Sequence, residues 1–270
     1  MQLPQTTTKQ QDILKLLYRY RFANRIQLQE FMGHKNKRRI ADWLKDLREK
    51  HYVEWIYSTD FAEKTKPAIY YLGINGIRYL RTLDVYPPKE LRKRYRESSR
   101  SPDFIAKSVL LADCCLNLAA KSTSKLSYSF VTHADYVDPD SEYHFLAEEL
   151  KPDLFYQRVE QTKRVTVVED YLVVVFDAAE PRHKVRKRLK DYVTYLDEGG
   201  WRRRFDGSEL MVHIACPNVA ELIYAKRRTR ILLENRIDKR THIRFTTVEQ
   251  VKLEGVTGFI WEEVWALRFF

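Results

Sequence analysis

Residues 36–53, NKRRIADWLKDLREKHYV, read as an amphipathic helix with a basic start whose end runs directly into a short hydrophobic strand. Ile40, Trp43, Leu44 and Leu47 recur at i, i+3, i+4 and i+7, the apolar stripe of a helix packed on one side. A turn of about 100° per residue carries Arg38, Ala41, Asp42 and Lys45 to the opposite side. Lys35, Lys37 and Arg39 crowd the amino end. Such a helix anchors a small core with one face, and its cationic leading turn suits the major groove of a DNA duplex. A solvated charged face is the plainer alternative, and the neighbouring segments weigh against it.

Upstream, Ile13, Leu16, Leu17 and Tyr20 repeat at helical spacing behind the polar run Thr6, Thr7, Thr8. A second helix is predicted to start near Asn24, whose side chain can cap free backbone N–H groups, with Gln27 at capping-box spacing. Leu28, Phe31 and Met32 form its apolar face, and Gly33-His34-Lys35 makes the turn into the basic helix. Two helices joined by three or four residues, the second of them basic, give a helix-turn-helix pattern. Beyond it, residues 52–57 and 68–72 alternate with strand period around a polar loop carrying Lys64 and Lys66, which predicts a wing able to rest on phosphates. Residues 73–80 predict a short closing helix. Thr8 to Arg81 is thus predicted to be a winged helix, with Lys35, Asn36, Lys37, Arg38, Arg39, Lys45, Lys64 and Lys66 as its DNA-binding residues.

Charge partition agrees. Residues 1–100 hold 22 Lys+Arg against 11 Asp+Glu, whereas residues 101–270 hold 26 of each. The whole formal net charge of +11 therefore lies on the first hundred residues, the footprint expected for a polyanion partner. The basic residues punctuate a folded pattern and form no juxtamembrane cluster, which favours nucleic acid over a membrane surface.

No stretch approaches the ~20 apolar residues of a membrane span, and MQLPQTTTKQ lacks a signal-peptide core. Cys114, Cys115 and Cys216 show no zinc spacing and read as buried, reduced thiols of a cytoplasmic protein. At 270 residues and 44% hydrophobic content, two cores are expected. The predicted division is 1–86 for the winged helix, 87–102 for a charged helical linker and 103–270 for a second domain. The linker helix KELRKRYRESSR, residues 89–100, has few apolar positions and is expected to span solvent or touch phosphates.

In the second domain, a buried helix is predicted over 104–122, then strands at 126–131 and 151–156 separated by a polar loop from His133 to Tyr143. Next come Val165 to Val168, a turn at Glu169-Asp170 and an apolar run, Tyr171 to Phe176, that ends at Asp177. A helix with Pro181 in its first turn carries Val185, Leu189, Tyr192, Val193 and Leu196 on one side and ends at Gly199-Gly200. A strand at 210–215, a helix near 219–234 and a strand at 243–245 follow. The order helix, strand, hairpin, helix, strand predicts an α/β fold with a mixed sheet, matching a restriction-endonuclease-like core.

Three segments, TKQQDILKLLYRYRFANRIQLQEF, KPDLFY and DAAEPRHKVRKRLKDYVTYLDEGGW, carry a family resemblance. The chain resembles the replication-relaxation family of plasmid and conjugative-element proteins, which couple a winged helix to a domain resembling PD-(D/E)XK nucleases. The resemblance implies binding to double-stranded plasmid or mobile-element DNA in replication, mobilisation or transcriptional control. A relaxase or replication protein and a second copy of the chain are the candidate protein partners.

Nuclease chemistry requires clustered carboxylates to hold a divalent metal and a lysine to position water. Pro152-Asp153 matches the first motif element. The second, Asp/Glu-x-Lys, falls on Val175-Phe176-Asp177, where valine cannot ligate and an acid replaces the lysine. An active site would need Asp153 and Asp177 to share Mg2+, with Lys184 or Lys187 reaching in. The expectation is a degenerate nuclease fold used for binding or assembly, without a cofactor; the alternative is a metal-dependent endonuclease targeted by the winged helix. His133, Asp135 and His144 lack ligand spacing. Residues 258–261 and 265–270 read as strand or core packing, or else as a docking edge. No Gly-rich phosphate loop or nucleophile motif is present.

Overall fold

The computed structural model describes residues 3–57, 65–205, 208–234 and 242–265. The chain divides into two compact units, one of residues 1–116 and 132–144, the other of residues 117–131 and 145–270.

The first unit begins with α1 (Thr8–Tyr20), whose amino end is closed by a capping box between Thr7 and Gln10. A two-residue strand β1 (Ala23–Asn24) leads into α2 (Arg25–Phe31), capped by Asn24 with Gln27 answering back. Gly33, at φ 57°, takes the left-handed conformation that ends α2 without steric cost. α3 (Lys37–Glu49) follows, then β2 (Val53–Ile56), β3 (Ile69–Leu72) and α4 (Ile74–Thr82). The sheet has the order β1-β3-β2, with both pairings antiparallel. Ile13, Leu14 and Leu17 of α1, Leu28 of α2 and Ile40, Leu44 and Leu47 of α3 meet Val53, Leu72 and Ile77 in one core. The three helices, the β2–β3 pair and the closing helix come in the order read from the sequence, while β1 is not expected there; the loop expected to carry Lys64 lies outside the described residues.

The charged stretch after α4 is not a separate linker. α5 (Pro88–Arg94) and a 3-10 turn at Glu97–Ser99 turn Glu90, Leu91, Arg94 and Glu97 inward on one stripe. Arg21 grips Glu97 through two bonds of 2.8 and 2.9 Å, and Arg94 donates to the Tyr18 carbonyl at 3.1 Å. Partners on α1 and just beyond it thus draw a charged helix into the first unit. The division between units also lies beyond the expected boundary, inside α6 (Pro102–Lys121). Gln27 fixes the first half of α6 through the Val109 carbonyl at 2.9 Å and Asp113 at 2.6 Å.

The second unit is a six-stranded mixed sheet of order β4-β5-β6-β7-β8-β9. β4 (Leu126–Thr132) is followed by two short helices, α7 (His133–Tyr136) and α8 (Phe145–Glu148), where a loop is expected from sequence; α7 belongs to the first unit. β5 (Leu154–Gln161) and β6 (Thr166–Val175) form an antiparallel hairpin. The expected turn at Glu169-Asp170 is instead part of β6. Glu169 pairs across the hairpin with Arg158, and buried Asp170 accepts from Gln157 at 3.0 Å, Trp201 Nε1 at 2.9 Å and Ser208 at 3.0 Å. Side-chain partners, not solvent, account for that polar pair.

After β6 come α9 (Arg182–Asp197) and α10 (Gly200–Arg204), then β7 (Leu210–Cys216) parallel to β6. α11 (Val219–Leu233) leads to β8 (Ile243–Thr247), parallel to β7, and α12 (Val248–Glu254) to a short antiparallel strand β9 (Glu262–Glu263). Residues 258–261 form a turn ahead of β9 and not a strand: Ile260 is buried and Trp261 stacks on His213, as core packing requires, but Phe259 and Trp265 are exposed, and residues 266–270 lie outside the described set. The order α6-β4-β5-β6-α9-β7 is the helix, strand, hairpin, helix, strand layout. All three cysteines are buried and unpaired with one another.

Candidate nucleic-acid interface and nuclease-like centre

α3 starts where the sequence requires. The Asn36 side chain accepts from the Arg38 and Arg39 amides at 3.0 and 3.2 Å, meeting two of the orphan donors of the first turn. Asn36 is therefore occupied as a cap. Ile40, Leu44 and Leu47 are buried, and Trp43 is half-buried at the edge of the stripe, 5.1 Å from the His34 ring. Lys35, Lys37 and Arg38 are exposed and carry no ion pair among the described residues. Arg39, also exposed, lies 5.8 Å over the Trp43 ring. Lys45 faces outward too, but Glu49 stands 3.9 Å away, a helical pair that competes with phosphate for the ammonium. Lys66 is exposed on the approach to β3.

The same unit carries a feature not read from the sequence. Arg48, in the last turn of α3, stacks 3.7 Å over the exposed ring of Trp55, which in turn stacks on Tyr57 at 5.5 Å. The i, i+2 spacing of Trp55 in β2 and Tyr57 just past it was the available signal, since alternate residues of an extended chain share a face. The first unit thus presents exposed cations at the start of α3 and an arginine-aromatic stack at its end.

In the second unit Asp153 enters β5 as expected, with its amide on the Val173 carbonyl at 2.9 Å. Its carboxylate accepts from the Val175 amide at 2.7 Å. Asp177 closes its own turn, accepting from the Ala179 amide at 3.0 Å. Lys184 is exposed and makes no side-chain hydrogen bond or ion pair among the described residues. The cation of α9 that does turn inward is Arg188. It pairs with Glu180 at 3.3 Å and lies 5.1 Å over the Phe176 ring. Burial disfavours its charge, but the Tyr192 hydroxyl and the Asp153 and Glu180 carboxylates outweigh that and raise its pKa above the usual arginine range. Tyr192 in turn donates to the Leu150 carbonyl at 2.9 Å. Val185, Arg188, Leu189 and Tyr192 are spaced i, i+3, i+4 and i+7, so sequence could have placed Arg188 on the buried stripe.

The residues present do not fit a divalent metal. Val175 offers no ligand, Asp177 is committed to its turn, and a guanidinium supplies the positive charge beside Asp153. Among the described residues, no group of three or more His, Cys, Asp or Glu side chains could hold a metal ion.

The family model described as replication-relaxation matches residues 14–208, more than half of the chain and across both units. The chain belongs to the replication-relaxation family. No curated protein matches it. Among solved structures, this family member is similar to the restriction endonuclease FokI, at 11% identity and a TM-score of 0.33. That likeness covers 94% of this chain and 46% of FokI, so the chain spans about half the length of that enzyme. Among the described residues, no helix is long and apolar enough to cross a membrane.

Proposed function

We propose that this replication-relaxation protein binds double-stranded DNA through a winged helix in its first unit, and that its nuclease-like unit serves binding or assembly instead of cleavage. The observation that carries the reading is the start of α3: Lys35, Lys37, Arg38 and Arg39 stand exposed around a capped helix end, on the unit that holds the chain's net charge. Base-edge contacts from such a helix give specificity, and surrounding lysines neutralise phosphates. Buried, unpaired cysteines suit a reducing compartment, so we place the protein in the cytoplasm. Plasmid or mobile-element DNA is the proposed target, in replication, mobilisation or transcriptional control. A relaxase, a replication protein or a second copy is the proposed partner.

The test begins with a random duplex pool, from which the 270-residue chain selects its site. Arg38→Ala is then measured on the selected duplex. Weakening of about 1–3 kcal/mol with relaxed preference at one position is expected. Unchanged affinity and preference would remove α3 from the groove. The cleavage question is separate: supercoiled plasmid incubated with the protein and Mg2+ or Mn2+ is expected to stay intact. Nicking abolished by both Asp153→Ala and Asp177→Ala would establish the endonuclease alternative.

A further inference from the structure

Residues 101–270 are electrically neutral in sum, yet their cations are not evenly spread. Residues 182–190, RHKVRKRLK, hold six Arg+Lys and no acid, and α11 carries the run Lys226, Arg227, Arg228, Thr229, Arg230. α9 and α11 each follow one of two neighbouring parallel strands, β6 and β7, so both helices start at the carboxyl edge of the sheet. Arg182 ties them together, reaching Glu221 at 3.3 Å and lying 4.7 Å over the Tyr224 ring, with Arg228 5.5 Å from the same ring.

Several cations of this helix pair already have work. Arg188 pairs with Glu180, Lys226 with Glu262 at 3.1 Å, and Arg230 donates to the Val264 carbonyl at 2.9 Å. Lys184, Arg186, Lys187, Lys190 and Arg227 are different: each is exposed and without an ion pair among the described residues. Like charges at this density repel one another, so an anion spanning both helices relieves the repulsion. Exposed guanidiniums and lysines spread over two adjacent helices match a row of phosphates better than one small anion.

We infer that the α9–α11 pair is a second nucleic-acid surface, binding the phosphodiester backbone of duplex DNA without reading sequence. The surface uses the exposed side chains of α9 and not Arg188, which turns toward Asp153, and it stands even if α3 reads no bases.

The test uses four versions of the 270-residue chain on a random-sequence duplex over a salt series: wild type, Arg186→Ala/Lys187→Ala/Lys190→Ala/Arg227→Ala, Lys37→Ala/Arg38→Ala/Arg39→Ala, and the charge-conserving Arg186→Lys/Arg227→Lys. The four changed side chains are exposed, and a matching thermal midpoint checks that folding is intact. The α9–α11 variant is expected to lose slope in log K against log salt, about 0.9 for each phosphate no longer neutralised. Arg186→Lys/Arg227→Lys is expected to keep most of the wild-type slope. Wild-type slope and affinity in the α9–α11 variant, with binding abolished in the α3 variant, would overturn the second surface and leave the first. Loss only in the α9–α11 variant would support this surface and remove α3. Preferential capture of the wild type by phosphatidylserine vesicles over duplex would overturn it in favour of a lipid partner.

Discussion

α3 and α5 are two basic helices of the same unit, and they use their charge in opposite ways. α3 keeps Lys37, Arg38 and Arg39 in solvent and buries only its aliphatic stripe. α5 buries Arg94, which is 2% exposed, and the following turn buries Glu97, which is 1% exposed. Composition does not separate them. What separates them is whether complementary groups exist elsewhere in the fold. Arg21 and the Tyr18 carbonyl serve the α5 region, whereas no acid among the described residues pairs with the cations at the amino end of α3. A charge run is therefore an interface only where its partners are missing.

Removing the Glu97 carboxylate should break the contrast most severely. Its side chain is fully buried and faces Arg21 at 2.8 Å, Arg94 at 3.5 Å and Arg100 at 3.4 Å. Burial, with Arg21 nearby, lowers the Arg94 pKa to about 10 although Glu97 acts to raise it, so removing the carboxylate strands a buried guanidinium beside a second one. Glu97→Ala is expected to cost about 3–5 kcal/mol, the usual penalty of stranding a buried charge. Urea unfolding followed by tryptophan fluorescence measures it. A loss under about 1 kcal/mol, as for an exposed pair, would mean that α5 is a surface helix after all.

His213 sharpens the comparison, because it is polar, buried and without hydrogen-bond partners on either ring nitrogen among the described residues. It sits between the Tyr171 ring at 5.0 Å and the stacked Trp261 ring at 4.1 Å. Burial, helped by nearby Arg244, pushes its pKa down to about 3. The folded imidazole therefore stays neutral while the unfolded one takes a proton below about pH 6.5. The unfolded state binds more protons between those values, so stability falls as pH drops through that window, by at most about 1.4 kcal/mol per pH unit. His213→Phe should flatten this part of the profile. Identical acid profiles for the two proteins would show that the ring finds a partner.

These two sites also show what the sequence makes legible. The α3 stripe, the Asn24 and Gln27 capping box and the β2–β3 alternation are local signals, written within a few residues of where they act, and they are readable. Glu97 and Asp170 are not, because their partners lie far along the chain: Arg21 for one, Trp201 and Ser208 for the other. Polarity alone then suggests a linker and a turn where the fold has a buried ion pair and a strand interior. Around Asp153, the motif comparison finds the valine at 175 and the acid at 177. It passes over Arg188, although the helical spacing of Arg188 with Val185, Leu189 and Tyr192 singles it out from the six-cation run as the member on the buried stripe.

The exposed helix should respond in the converse way to α5. Lys37→Ala/Arg38→Ala is expected to leave unfolding free energy within about 0.5 kcal/mol of wild type. The same change should weaken the selected duplex by about 1–3 kcal/mol for each base edge no longer read, and flatten the salt dependence of binding. A stability loss comparable to that of Glu97→Ala would show that these cations are structural, and α3 would lose its distinction from α5.

The smallest effect is expected at Asn36, where capping and recognition meet. Its side chain holds the Arg38 and Arg39 amides, so Asn36→Ala should cost about 1 kcal/mol of stability. Asn36→Asp keeps the cap and suits the positive end of the helix, so stability should hold. That variant also sets a negative charge among Lys35, Lys37 and Arg38, and DNA affinity should fall although folding does not. Isothermal titration with the selected duplex, alongside thermal unfolding, separates the two roles. If Asn36→Asp bound DNA as tightly as wild type, the amino end of α3 would not approach phosphates, and its exposed cations would be only a solvated face.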